Sequence, residues 1–321
     1  MYETIQSRAV IGTIARELEL ARGPGWVEAC SWYNGDSDQA EENYQWVGLP
    51  PAMREFIGER KAVELVEEGL IIPNKEYEAT LEFHVRDLRR DRFGMLLQRA
   101  AMLAERTAAH WAQLLTPLLY NGQTSVATYG ARRTYDGANF FGNGHRGAQN
   151  NVVAITGVSG NRPTVAQAQD GLLQAVERLA GFLDEHGEPV NETMQSLAVV
   201  CPPSILGPVS GAVSNATIQG TGSGVDNVLT NLGKTWSVYD NARLAAIDTW
   251  GTGTGRKMVV MRTDSRMKPL IRQEESGVQV GGTQVGGDEE FKQRRRLFGV
   301  DASRGIGYGL WEQAILVTFS A

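Results

Sequence analysis

Residues 76–86 read Glu-Tyr-Glu-Ala-Thr-Leu-Glu-Phe-His-Val-Arg, a strict alternation of polar and apolar side chains. This pattern predicts a β-strand with one apolar face and one charged face. The preceding run, residues 63–72, is rich in β-branched residues, and Pro73-Asn74-Lys75 supplies a reversal between the two. The sequence therefore predicts a long antiparallel hairpin.

Such a ribbon needs support, because two strands alone are marginally stable in water. Its apolar face carries Tyr77, Leu81 and Phe83. We expect this face to lie either on the chain's own domain or on a neighbouring chain.

Helical periodicity follows the ribbon. Apolar residues at alternating spacings of three and four predict a long helix over 94–120, with Pro117 and Asn121-Gly122 marking its end. A second amphipathic helix is predicted from its cap at Thr164 to about residue 185. Short strands are predicted at 197–201, 257–262 and 314–319. The fold class is mixed α+β.

Residues 1–50 are predicted to form an arm, since Gly- and Pro-rich breaks interrupt their periodicity. Trp26, Trp32 and Trp46 lie in this segment, and aromatic side chains with little core of their own need a partner surface. The arm could cap its own domain or contact another subunit.

Composition limits the class of protein. The chain has 321 residues, 42% hydrophobic residues and a net charge of −6, which predicts one large or two interlocked globular domains without an overall basic field. Cys30 and Cys201 are the only cysteines, so neither a disulfide framework nor a cysteine-based zinc site is expected. We expect no secretory leader and no membrane-spanning segment, as in a protein of a reducing cytosol.

No catalytic constellation emerges. Gly233-Lys234-Thr235 resembles the end of a phosphate-binding loop, but Val228 stands where the first glycine belongs. The four histidines form no metal-binding pair, and no nucleophile elbow is present. The sequence predicts neither an enzyme nor a site for a metal or cofactor.

Two charged segments are candidates for contacts. The run 292–296 is basic and could contact phosphates or a partner's carboxylates; the acidic triplet 288–290 beside it favours salt bridges, on a strand with one solvated face. Asp87 and Asp91 stand among four arginines, which indicates an ion-pair cluster instead of paired catalytic carboxylates.

Several short motifs occur together. They are Ala52–Arg60, Pro73–Thr80, Val85–Asp91, Asp136–Phe141 with Gly144-His145, and Phe298–Arg304 with Gly307–Trp311. In combination, over roughly residues 45–145 and 255–320, the sequence resembles the Mu-like phage major head subunit family.

That family is similar to capsid proteins of the Hong Kong 97 type, and the resemblance implies their parts. These are an N-arm (1–50), an E-loop hairpin with its flanks (51–93), a peripheral P-domain with a long spine helix (94–159), an axial A-domain (160–255), and a return to the P-domain (256–321). It also implies a major capsid protein of a tailed double-stranded DNA phage, with hexamers and pentamers forming an icosahedral head.

The implied partners are further copies of the chain, a portal at one vertex, optional decoration proteins and packaged DNA held by weak non-specific contact. A scaffold protein is expected to be separate, because the sequence predicts no long charged helix at its start. The location would be the virion, assembled in the host bacterial cytoplasm. An encapsulin-like compartment shell and, less favoured, a metabolic enzyme are the alternatives.

The residues predicted to contact other subunits come from the arm, the ribbon and the charged segments. They are Trp26, Trp32, Trp46, Arg54, Glu55, Asn74, Lys75, Tyr77, Leu81, Phe83, Arg86, Asp87, Arg294, Arg295 and Arg296. Some shells of this type join a lysine to an asparagine of a neighbour; Lys75 and Asn74 suit such a crosslink by position only, since no buried acid is identified for it.

Overall fold

The computed structural model describes residues 2–35, 37–47, 67–90, 94–124, 133–184, 187–219, 224–247, 250 and 255–321. The helices are α1 (Tyr2–Leu20), α2 (Gly25–Cys30), α3 (Val85–Arg90), α4 (Met95–Ala108), α5 (His110–Asn121), α6 (Val165–Gly181), α7 (Pro203–Ser214), α8 (Val228–Asn231) and α9 (Asp288–Gln293).

The strands are β1 (Ser31–Asn34), β2 (Glu41–Val47), β3 (Glu67–Pro73), β4 (Lys75–His84), β5 (Val152–Ile155), β6 (Ser196–Cys201), β7 (Thr217–Gln219), β8 (Gly224–Asp226), β9 (Thr235–Asp240), β10 (Gly255–Arg262), β11 (Leu270–Gly282), β12 (Arg295–Tyr308) and β13 (Ala314–Ser320).

A five-stranded sheet with the order β5-β13-β10-β6-β9 forms the centre of the main core. The three strands predicted from sequence are β6, β10 and β13, adjacent in this sheet, and are confirmed. Helices α6 and α7 pack against the sheet. The sheet combines strands from before residue 160, from 160–255 and from after 255, so it crosses the predicted domain boundaries.

The long predicted helix is present as α4 and α5, which meet at Ala109. Pro117 lies inside α5 and does not end it. A proline there removes one backbone hydrogen bond, and burial of the surrounding leucines offsets that loss. The helix predicted from Thr164 begins there with a capping box to Gln167, but it ends at Gly181, before the predicted residue 185.

The predicted hairpin over 63–86 is wrong in its pairing. β4 pairs antiparallel with β12 along its whole length, from Lys75 opposite Arg304 to His84 opposite Arg295. β3 pairs antiparallel with β2, so the two-stranded ribbon is β2–β3. Alternation identifies a strand and its faces but does not identify its partner.

A four-stranded sheet with the order β1-β11-β12-β4 is the second large element. The long strand β11 was not predicted, and the strand predicted over 292–296 covers only the first residues of β12. The two strands pair over most of their length. Helices α1 and α4 pack together, and α1 also contacts β11, so one face of this sheet is covered by helices.

Residues 2–20 of the predicted N-arm form the 19-residue helix α1. The assignment of residues 1–50 as an arm stays a prediction. Val10 and Ile14 of α1 are buried with residues of α4 and β12. α1 also carries Arg8, Arg16 and Glu17, so the chain does have a charged helix near its start. The expectation of a separate scaffold protein loses this support and stays a prediction.

Candidate assembly surfaces

The apolar face of β4 lies on the chain's own helices. Phe83 is 3% exposed, and its ring centroid lies 5.8 Å from that of Phe298. Leu81 packs half-buried against the same cluster, and Tyr77 meets the ring of His110 edge-on at 4.6 Å. Of the two supports considered for this face, the structure shows the chain's own domain. A Phe83→Ser substitution would therefore disturb folding of the subunit itself.

The other face of the four-stranded sheet is acidic and open. Glu76, Glu78, Glu82 and Asp301 are exposed there, on alternate positions of β4 and β12. Arg295 lies on the same face and donates to the Glu82 carboxylate at 3.0 Å. Carboxylates on an edge strand oppose its uncontrolled pairing with other strands.

The β2–β3 ribbon has one supported face. Ile72 is 1% exposed and packs with Ile271, whereas its neighbour Ile71 is 56% exposed on the opposite face. A Cβ added to Gly307 would lie 2.2 Å from Ile72 Cδ1, so the glycine lets β3 approach β12 without displacing the Ile72 side chain. Trp32 meets Tyr44 edge-on at 5.9 Å beside this contact.

The remaining ribbon candidates are only partly described. Trp46 lies in β2, but its side chain is outside the described residues, as are Arg54, Glu55 and the whole motif Ala52–Arg60. The contact predictions for these residues stay predictions.

The Asn74 side chain at the turn before β4 is engaged inside the chain. Its amide donates to Ser37 Oγ at 2.9 Å and to the Gln39 carbonyl at 2.8 Å, and its oxygen accepts from Gln273 at 2.8 Å. Lys75 is exposed. An asparagine with both amide functions occupied is poorly placed to react with a neighbour's lysine.

The basic run 292–296 is explained largely by intrachain contacts. Arg296 is fully buried and donates to Glu290 at 2.9 and 3.1 Å and to Ser7 Oγ at 3.0 Å. Arg294 adopts a left-handed conformation (φ 52°) where α9 ends. Residues 288–293 are helical and β12 begins at Arg295, so the strand predicted over 292–296 is confirmed at 295–296 and wrong before them. The predicted pairing with the acidic triplet is present within the chain.

The other predicted contact residues differ in how deeply they are buried. Trp26 is buried in the main core, so its contacts are with its own chain. Arg86 and Asp87 are exposed on α3. The prediction of subunit contacts stays open for these exposed residues.

Two distant motifs meet in one buried cluster, which sequence reasoning missed. His145 Nδ1 lies 2.8 Å from Asp136, and the His145 ring stacks on Trp311 at 3.9 Å. Tyr135 donates a hydrogen bond to Glu312 in the 3-10 turn that follows β12. The motifs Asp136–His145 and Gly307–Trp311 thus hold the irregular segment 133–149 onto the core. In the sequence, the signal for this contact is only that both motifs contain aromatic residues and that ionisable residues lie in or beside them.

Two acids of this cluster, Glu312 and Asp136, have shifted pKa values. In both, burial raises the pKa of the carboxyl and hydrogen bonds lower it. Burial raises the pKa of Glu312 to about 7. Burial also opposes ionisation of Asp136, but hydrogen bonds from His145, Thr134 and the Ala138 amide outweigh it and lower the pKa of that carboxyl. The cluster thus places one acid with a lowered pKa, Asp136, beside another, Glu312, whose pKa is raised to about 7.

Within the described ranges, no three His, Cys, Asp or Glu side chains are grouped so that they could hold a metal ion. None of the described helices combines the length and apolar content that crossing a bilayer requires.

Comparison with known proteins identifies the family. The model of the Mu-like prophage major head subunit gpT family matches residues 26–167 and 234–318. The chain is 28% identical over 126 residues to the "Major capsid protein" of Escherichia phage Mu, which covers 38% of this chain and 39% of the Mu protein. The matched region thus spans well under half of that relative.

Solved structures share the fold at low identity. The procapsid protein of bacteriophage JBD30 is 18% identical with a TM-score of 0.52, covering 98% of this chain and 73% of that one. The mature capsid protein of bacteriophage PhiM1 is 12% identical with a TM-score of 0.56, covering 91% and 86%. A virus-like particle protein from Pyrococcus furiosus is 10% identical with a TM-score of 0.54, covering 97% and 98%.

These likenesses confirm the predicted α+β fold of the Hong Kong 97 type. Because the family model matches more than half of the chain, the resemblance seen in the sequence motifs is confirmed as well: the chain belongs to the Mu-like prophage major head subunit gpT family.

Proposed function

We propose that this protein is the major capsid protein of a phage head, a structural subunit that assembles with copies of itself into a closed shell. The family match over residues 26–167 and 234–318 is the observation that carries this proposal. The capsid fold supports it, and so does the open perimeter of the four-stranded sheet, where β4 is an edge strand.

The finer features of the proposal are hexamers and pentamers of an icosahedral shell around double-stranded DNA, assembled in the host bacterial cytoplasm. A separate scaffold, a portal and optional decoration proteins complete the predicted partners. The net charge of −6 supports only weak contact with DNA, because a strongly basic wall would bind every phosphate of the packaged genome.

A compartment shell that encloses a cargo protein is the second candidate. The similarity to the Pyrococcus furiosus virus-like particle favours keeping it, since the fold alone serves more than one kind of shell. Membership of a head-subunit family favours the phage head over both this candidate and a metabolic enzyme.

Negative-stain electron microscopy with light scattering tests the proposal. The full chain, expressed alone and with a candidate scaffold, is expected to form closed shells, tubes or capsomer rings. DNA inside the shells would favour the phage head and a protein cargo would favour the compartment. A monodisperse monomer or dimer in both preparations would contradict both.

A further inference from the structure

The end of the β11–β12 hairpin carries the most exposed large apolar side chain that the structure describes. Phe291 on α9 is 85% exposed. Single apolar side chains are common on protein surfaces, so exposure alone identifies nothing. Two further observations indicate a role for Phe291. Its backbone is held in place, and a groove elsewhere on the chain suits its ring.

The backbone next to Phe291 is firmly anchored. Glu290 accepts two hydrogen bonds from the fully buried Arg296, and its second oxygen also accepts from the Gly286 amide at 2.8 Å. Arg296 is held in turn by Ser7 of α1. A side chain presented on an ordered backbone loses less conformational freedom on binding, which is the property of an interface anchor.

A groove of about 470 Å³ lies between β4 and the α4–α5 junction. Its apolar part is formed by Ala79, Leu81, Leu103 and Val300, and polar residues that include Arg106, Glu78 and Asp301 line the rest. Arg106 is exposed and has no ion-pair partner among the described residues. Apolar walls with a guanidinium beside them suit an aromatic ring, which an arginine binds by a cation–π contact.

Both features lie on the perimeter of the four-stranded sheet. Among the described strands β4 pairs only with β12 and forms one edge, and α9 lies at the end where β11 turns into β12. In a closed shell, copies meet side by side through their perimeters. Because α9 and the groove are different surfaces, their contact is heterologous, and repeated contacts of this kind form rings where the rotation between successive copies closes.

We propose that Phe291 of one copy inserts into the groove between β4 and the α4–α5 junction of a second copy, with Arg106 of that copy against its ring. This inference rests on the proposed self-assembly and names a contact through which it occurs.

Matched serine substitutions test the anchor. Phe291→Ser is expected to reduce the pelleted shell fraction at least tenfold at equal protein concentration. Leu20→Ser, which changes another exposed apolar residue (66% exposed), is expected to assemble like the wild type. Thermal unfolding of both unassembled variants should match the wild type, since both sites are exposed. Normal assembly of Phe291→Ser would overturn the proposal.

A crosslink tests the groove. The double variant Lys292→Cys with Thr80→Cys keeps Phe291 and Arg106 and places one exposed cysteine beside the anchor and one at the groove. Treated with a short bis-maleimide, it is expected to give a ladder of covalent multimers that neither single variant gives. Cys30 and Cys201 are buried and should contribute little background. Loss of assembly in Phe291→Ser without this ladder would overturn the groove as the binding site.

The two proposals fail separately. A ladder from oligomers that never close into shells would support the Phe291 contact and contradict the head function. Closed shells from every variant, without a ladder, would support the head function and overturn the Phe291 contact.

Discussion

The two large sheets of this protein differ in how they are covered. In the five-stranded sheet, the central strands β6, β10 and β13 have neighbours on both edges, and nearly all their residues are buried. In the four-stranded sheet, helices cover one face, whereas the other is acidic and β4 lies at an edge. The first sheet therefore contributes mainly to the stability of the subunit, and the second leaves an acidic face and an edge strand exposed, as the proposed contacts between subunits require.

The largest expected effect comes from comparing a buried phenylalanine with an exposed one. Phe319→Ala, in the five-stranded sheet, should lower the free energy of unfolding by about 3–5 kcal/mol because Phe319 is fully buried. Phe291→Ala should change it by less than about 0.5 kcal/mol. Urea unfolding of the unassembled subunit measures both, and equal losses would contradict the comparison.

A pH-dependent effect follows from the cluster beside β13. The pKa of Glu312 is raised from 4.5 to about 7, so the folded state holds a proton that the unfolded state releases. Stability from this group is complete below pH 4.5 and decreases as the pH rises to 7, by about 3 kcal/mol at most.

Glu312→Gln removes that titration and keeps the side chain's size. Unfolding measured from pH 5 to 8 should show a smaller loss of stability for the variant than for the wild type. Tyr135, Asp136 and His145 face this carboxyl and are unchanged in the variant. Parallel pH profiles would show that Glu312 does not titrate in this range.

Two neighbouring isoleucines, Ile71 and Ile72, allow the supported and the open face of the β2–β3 ribbon to be compared. Ile72→Ala should destabilise the attachment of β3 to the four-stranded sheet by about 2 kcal/mol, because Ile72 is buried over Gly307. Ile71→Ala, on the opposite face, should have little effect on the isolated subunit. Amide hydrogen exchange of β2 and β3 measures the difference, and equal protection in both variants would contradict the assigned faces.

The smallest effect is expected on the open face of the four-stranded sheet. Arg295→Gln removes a partly exposed ion pair with Glu82 and should cost no more than about 1 kcal/mol. The loss should shrink further at high salt, since exposed pairs are screened. A salt-independent loss of several kcal/mol would mean that this face is buried in the species measured.

Sequence reasoning recovered elements better than pairings. The alternation over 76–86 identified β4 and its apolar face, and the cap at Thr164 identified the start of α6. The pairing of β4 with β12 joins residues more than 200 positions apart, and no local pattern records such a partner. Helix α1 was not predicted, because the turn signals at 23–25 and 34–36 were applied to the whole of residues 1–50. These signals lie after the helix has ended.

The predicted contact residues likewise divide into those that are accessible and those that only the structure shows to be buried. Tyr77 and Lys75 are at least partly accessible, as contact residues must be, whereas Trp26, Phe83 and Arg296 are buried in their own chain. Composition indicates which side chains seek burial, but both a core and an interface satisfy that need.

The sequence by itself determined the family, the α+β class, the positions of the central strands and the alternating faces of β4. These properties depend on residues close together in the chain, where periodicity and motifs act. Only the tertiary structure decided that β4 joins β12, that β3 joins β2, and that Tyr135, Asp136 and His145 meet Trp311 and Glu312. Those contacts form between distant segments because burying apolar faces and pairing buried charges lowers the free energy of the whole chain, a sum that no single segment contains.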